Sequence, residues 1–145
     1  MKDVILKALA TAAGVAAVMM TGAVLAADQP PPPAPVFTAE QATAGKAAFA
    51  KVCAACHMPD LSGNNEVPPL AGMVFMDTWG TRTTKELFDY MSAEMPRGGT
   101  PQTVDTYLAL TSFILQSNGA AAGDAPFTPK TAVEIERVAH AGAQP

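Results

Sequence analysis

The chain is poor in the residues that most often carry chemistry: its 145 residues include two cysteines, two histidines and one tryptophan. It also lacks a surplus of positive charge, since 9 Lys and Arg against 13 Asp and Glu leave a formal net charge of −4 at pH 7. Nucleic-acid binders concentrate Lys and Arg on one face, so nucleic acid is set aside as a partner. No segment shows the alternating pattern of a strand, and the βαβ signature of parallel-sheet proteins is missing. What remains is an all-α reading for one core, the usual outcome for a chain of this length.

One long uncharged run does occur, ALATAAGVAAVMMTGAVLAA from Ala8 to Ala27, behind Lys2 and Lys7. It reads as an export signal, with Val24 and Ala26 at the −3 and −1 positions of a small-residue cleavage site. The alternative is an uncleaved membrane anchor: the run is long enough to span a bilayer, but its Ala and Gly content favours lipid weakly. Removing residues 1–26 takes away Lys2, Lys7 and Asp3, leaving 7 basic and 12 acidic residues. The exported chain is therefore acidic. Next comes PPPPAP, Pro30 to Pro35, which prefers an extended polyproline form and reads as a spacer. The resulting plan is a signal over 1–26, a Pro-rich linker over 27–37, a folded domain over 38–119 and an extension over 120–145.

Two capping boxes mark helix starts, Thr38 with Gln41 and Thr83 with Glu86. The first opens a helix of about residues 39–51, with Gly45, Ala48, Phe49 and Val52 on one face. The second opens TKELFDYMSAE, where Leu87 and Met91 lie one turn apart. A third helix is expected from about Pro101 to a stop at Gly119, burying Val104, Tyr107, Leu108, Thr111, Ile114 and Leu115. Residues 58–82 form a long Gly-, Pro- and Asn-rich loop, which in a small domain needs something other than backbone pairing to organise it. A short helix over Thr131 to Val138 is a further expectation.

Both cysteines fall in KVCAACHMPDLSG, with Cys53 and Cys56 flanking two alanines and His57 directly behind. A structural zinc site needs about four ligands, and the other histidine, His140, lies near the C-terminus. A thioredoxin-like pair belongs beside a βαβ unit, and a Cys53–Cys56 disulfide closes too small a loop to add much stability. Covalent haem attachment fits instead, because Cys-x-x-Cys-His lets two sulfurs reach neighbouring vinyl groups and carries the histidine to the iron. It also accounts for the full cysteine count and for an apolar partner to the long loop.

On these residues the chain from about Thr38 to Gly119 resembles a class I monohaem cytochrome c. That resemblance implies the class I cytochrome c fold, small helices and long loops wrapped around one covalent haem c. It implies that the helix bearing Gly45 and Phe49 crosses a C-terminal helix with an aromatic, here expected as Tyr107. It implies that Pro69, in the Pro69-Leu70 pair of VPPLAG, supplies a backbone carbonyl to the ring of His57. It places the distal iron ligand at Met95, in a Met-Pro loop between two helices, with Met91, Met73, Met76 or an open site as alternatives. Trp79 resembles the tryptophan whose ring nitrogen approaches a haem propionate, and Arg82 and Arg97 are candidates for propionate or partner contacts.

The implied function is single-electron transfer with His57 and Met95 as iron ligands, in the periplasm of a bacterium, without catalytic residues. LFDYMSAEMP and YLALTSFILQSNGAAAG also resemble cytochromes that serve quinoprotein dehydrogenases. Implied partners are redox proteins, such as a quinoprotein dehydrogenase or a terminal oxidase, with membrane association only if the leading run stays attached. Two alternatives stand beside this: a subunit fixed in a periplasmic dehydrogenase complex, and an open-site haem enzyme or gas sensor in which Met95 does not bind.

Overall fold

In the computed structural model, residues 34–140 are described; the export signal and most of the linker lie outside the described residues, as do residues 141–145. The described residues form six helices and no strand: α1 (Ala39–Val52), α2 (Ala54–His57), α3 (Met73–Trp79), α4 (Thr84–Glu94), α5 (Val104–Ser117) and α6 (Ile135–Val138). This is the all-α arrangement the sequence pattern calls for.

Local chemistry sets the helix starts. Thr38 accepts from the Gln41 N–H while the Gln41 side chain accepts from the Thr38 N–H, and Thr83 and Glu86 repeat the exchange at α4. Each box satisfies two of the backbone donors that a helix N-terminus leaves open. The start of α5 differs from expectation: Thr103 is its N-cap, so the helix begins at Val104 rather than near Pro101. Proline disfavours helical geometry in the residue before it, but nothing obliges the residues after it to be helical, and the threonine cap decides. At the other end Gly119 takes φ +90°, a conformation that suits glycine, and the Ala120 N–H bonds back to Leu115.

The central packing is α1 against α5. A Cβ on Gly45 would lie 1.9 Å from the Ala109 carbonyl oxygen and 2.8 Å from the Phe113 Cβ, so the two backbones meet where glycine removes a side chain. The aromatic at this crossing is Phe113, whose ring lies 5.4 Å from that of Phe49, and not Tyr107. Phe113 follows Ala109 by one turn and so shares the face that meets Gly45. From Tyr107 to Leu115 every residue of α5 is buried, whereas Val104, expected on the buried stripe, is 55% exposed in the first turn. The Thr111 and Ser112 hydroxyls donate back to the carbonyls of Tyr107 and Leu108, which lets polar residues occupy that interior.

The domain is wider than the segment 38–119. Val36 and Phe37, assigned to the linker, are buried, and the Phe37 carbonyl accepts from the Gly123 N–H at 2.9 Å. The extension wraps the core: Phe127 is buried against Phe88, and Gln41 both donates to and accepts from the Phe127 backbone, at 2.9 and 2.7 Å. Thr84 pairs with Val133 through its N–H and with Thr131 through its hydroxyl, and Thr83 and Glu134 form an isolated antiparallel bridge. The short helix in this stretch covers Ile135–Val138 only, with Ile135 and Ala139 fully buried. Apolar side chains of the extension fill the core, which is why the expected boundary at 119 does not separate two regions. Phe127→Ala is accordingly expected to destabilise the protein by about 3–5 kcal/mol, the usual cost of deleting a buried aromatic ring. Denaturant unfolding measures this, and a loss below about 1 kcal/mol would mean that the extension is a loose tail.

Candidate functional site

The CAACH segment folds as one helical turn. The Cys53 carbonyl accepts from the N–H groups of Cys56 and His57, at 3.1 and 2.9 Å. Cys53 therefore lies three and four residues from Cys56 and His57 on a helix, the spacing that sets side chains on a common face. No disulfide joins the two cysteines. Burial pushes the Cys53 thiol above its usual range, and the neighbouring Cys56 adds to the shift.

The ring of His57 is buried, and its Nδ1 lies 3.0 Å from the carbonyl oxygen of Pro68. A carbonyl can only accept, so Nδ1 is the nitrogen that carries a proton, and in the neutral ring Nε2 is the one with a free lone pair. The carbonyl belongs to Pro68, one residue ahead of the expected Pro69. The chain turns back here, with the Leu70 N–H bonded to the Leu61 carbonyl at 2.9 Å, and this register aims the Pro68 carbonyl at the ring.

Two asparagines, neither of them part of the CAACH pattern, shape this wall. Asn64 accepts from the N–H groups of Glu66 and Val67 and reaches the Cys56 carbonyl with its amide nitrogen. Asn118, buried at the end of α5, donates to the Leu70 carbonyl at 2.9 Å and accepts from the Gly72 N–H at 3.0 Å. Polar side chains thus organise much of the loop. The Asn pair in GNNEV was a turn signal, but the long reach of Asn118 left no local trace.

The rest of the expected loop is α3, which buries Phe75 while Met73 and Val74 face outward, 74% and 54% exposed. Outward apolar residues erase the helical periodicity, and Gly72 offers no side-chain cap. Trp79 ends α3. Its ring packs on Tyr90 with centroids 5.3 Å apart, and the Arg82 guanidinium lies 4.9 Å from the ring centre, a cation–π contact. Neither Trp79 nor Met95 hydrogen-bonds to the cluster around His57.

The methionines divide clearly. Met91 is in the core, where the Thr111 hydroxyl points at its sulfur at 3.9 Å, whereas Met58 and Met73 are exposed. Met76 packs half-buried against the core. Met95 is half-buried at the C-cap of α4, and its carbonyl accepts the hydroxyl of Tyr107.

These residues fit haem c. Two cysteines with no disulfide between them sit a helical turn apart, and a histidine has a backbone acceptor for its Nδ1–H. Its Nε2 has no hydrogen-bond partner, and since no fully buried side-chain nitrogen or oxygen among the described residues lacks one, Nε2 is open to an incoming group. A model of the family described as cytochrome c oxidase, cbb3-type, subunit III matches residues 40–114. The chain belongs to this cytochrome c family. It is a monohaem class I cytochrome c with covalently attached haem c, an electron-transfer protein rather than an enzyme. Haem iron supplies a one-electron couple. No curated protein and no solved structure gives a match. Among the described residues no helix of this cytochrome is long and apolar enough to cross a membrane.

Proposed function

We propose that this cytochrome is an exported single-electron carrier in which Cys53 and Cys56 would form the thioethers and His57 and Met95 would be the iron ligands. The observation that carries the reading is the His57–Pro68 bond, which leaves Nε2 as the one ring nitrogen able to bind a metal. Met95 is favoured over Met91 because the Met91 sulfur is committed to the core beside Thr111. It is favoured over Met73 because that side chain stands on the outer face of α3. Thioether sulfur favours the reduced iron and a partly dry site disfavours the extra charge of the oxidised form, so the potential is expected to be positive.

The run before Ala27 directs export to the periplasm and is cleaved. The oxidase subunit in the family's description supports a terminal oxidase as electron acceptor, and the likeness of LFDYMSAEMP to dehydrogenase-associated cytochromes supports a quinoprotein dehydrogenase as donor. Turnover then depends on brief, small-area docking rather than on tight association.

Protein purified from its native host is expected to begin at Ala27 and to weigh one haem more than its polypeptide after acid extraction. A bare polypeptide mass would remove the thioether assignment, and an N-terminus at Met1 in the membrane fraction would replace cleavage with anchoring. The oxidised protein is expected to show the weak near-infrared sulfur-to-iron band, and the reduced protein to resist carbon monoxide. Ready carbon monoxide binding without that band would favour an open-site sensor or enzyme.

A further inference from the structure

Tyr107 is buried one turn inside α5, and its hydroxyl makes no hydrogen bond within α1 or α4. It donates to the Met95 carbonyl and accepts from the Gln102 N–H at 3.0 Å. These two groups stand at opposite ends of the segment that leaves α4 and enters α5. Between them Arg97, Gly98, Gly99, Thr100 and Pro101 are exposed, with one internal backbone bond, from the Gly99 N–H to the Pro96 carbonyl. The segment has two glycines and little packing, so it is held chiefly at its base. At that base the Met95 N–H bonds to the Met91 carbonyl, and one phenol oxygen joins the two ends to each other.

We propose that Tyr107 is a positioning residue for the distal iron ligand: its hydroxyl staples both ends of the Met95 loop to the rigid middle of the molecule and so holds the Met95 sulfur on the iron. The proposal rests on the assignment of Met95 as a ligand and adds the residue that holds it there. The backbone of Tyr107 is itself held, since its N–H bonds to the Thr103 carbonyl at 3.0 Å and its carbonyl takes the Thr111 hydroxyl at 2.8 Å, and its ring is buried. Removing the oxygen leaves the Met95 carbonyl and the Gln102 N–H without their shared partner in a part-buried setting, while the ring still fills its place in the core. Release then falls on the loop and not on the fold as a whole. An external ligand that must displace the methionine measures that release directly.

The test is imidazole binding to the oxidised holoprotein, followed through the near-infrared sulfur-to-iron band, in the unmutated protein, Tyr107→Phe and Thr84→Val. Thr84→Val removes the hydroxyl that bonds Thr131 and Val133, at the opposite end of α4 from Met95, and serves as a control for general loosening. Tyr107→Phe is expected to bind imidazole about five- to tenfold more tightly, the effect of losing one useful hydrogen bond. Thr84→Val is expected to stay within twofold of the unmutated protein while its denaturation midpoint falls. Imidazole affinity within twofold in Tyr107→Phe overturns the staple and leaves the methionine ligand standing. An equal gain in Thr84→Val overturns it also, because weakening the fold anywhere would then free the ligand. Absence of the band in the unmutated protein removes the ligand assignment itself, which is a separate failure. Should Tyr107→Phe yield no holoprotein, Gln102→Pro deletes the second half of the staple, and its imidazole affinity decides by the same limits.

Discussion

Met95→Ala is expected to abolish the near-infrared band of the oxidised protein, open the reduced iron to carbon monoxide and lower the reduction potential by roughly 0.1–0.3 V, part of the ~0.8 V that axial ligands command. The direction follows from chemistry: a soft thioether stabilises ferrous iron, and water or hydroxide in its place stabilises ferric iron. Fold stability should change much less, because Met95 is only half-buried and its backbone bonds to Met91 and Tyr107 survive the substitution. Potentiometric titration with carbon monoxide difference spectra measures both effects. An unchanged band and potential would make Met95 a packing residue and send the search to Met76, since Met91 is held in the core and Met73 stands in solvent.

The largest effect on folding is expected at Gly45. A valine there would drive its Cβ into the Ala109 carbonyl, which sits on helix backbone and cannot rotate aside. The helices would have to separate by more than an ångström along their contact, uncovering Phe49 and Phe113 together. Overpacking commonly costs about 1–3 kcal/mol where side chains can yield, and here only backbone can. Against a total stability of about 5–15 kcal/mol, Gly45→Val is expected to leave little or no folded holoprotein. Far-UV circular dichroism and the yield of covalent haem read this out. Native-like values for both would show that α1 and α5 do not meet as described.

Features set by neighbours in the chain were legible from the sequence. The exchange between Thr38 and Gln41, or Thr83 and Glu86, spans three residues, and the turn that groups Cys53, Cys56 and His57 spans four. Gly119 was readable as a helix stop because positive φ is a property of glycine itself. The misread features depend on distant partners. α3 was hidden because Met73 and Val74 break its amphipathic pattern. The acceptor for His57 was placed one residue late, because the Leu61–Leu70 pairing that sets the register is not written in the prolines themselves. Phe113 and Tyr107 both lie on α5 with aromatic rings, and only the Gly45–Ala109 approach tells which of them meets α1. The extension seemed separable because nothing in 120–140 announces that Gln41 will bind Phe127.

The distances along the chain between these partners govern the order in which the molecule is completed. Gln41 and Phe127 are 86 residues apart, Gly72 and Asn118 are 46, and Thr84 and Thr131 are 47. Contacts of such span form late, because loop closure must precede any gain from them. A chain emerging from its N-terminus presents Cys53, Cys56 and His57 while Ala109, Phe113, Asn118 and Phe127 have yet to appear. At that stage the first capped helix has no α5 to lie against, and the thiols stand on a segment with no roof. The late-arriving third of the sequence thus completes the interior only after the CAACH segment is already present, and Cys56 stays exposed even in the finished fold.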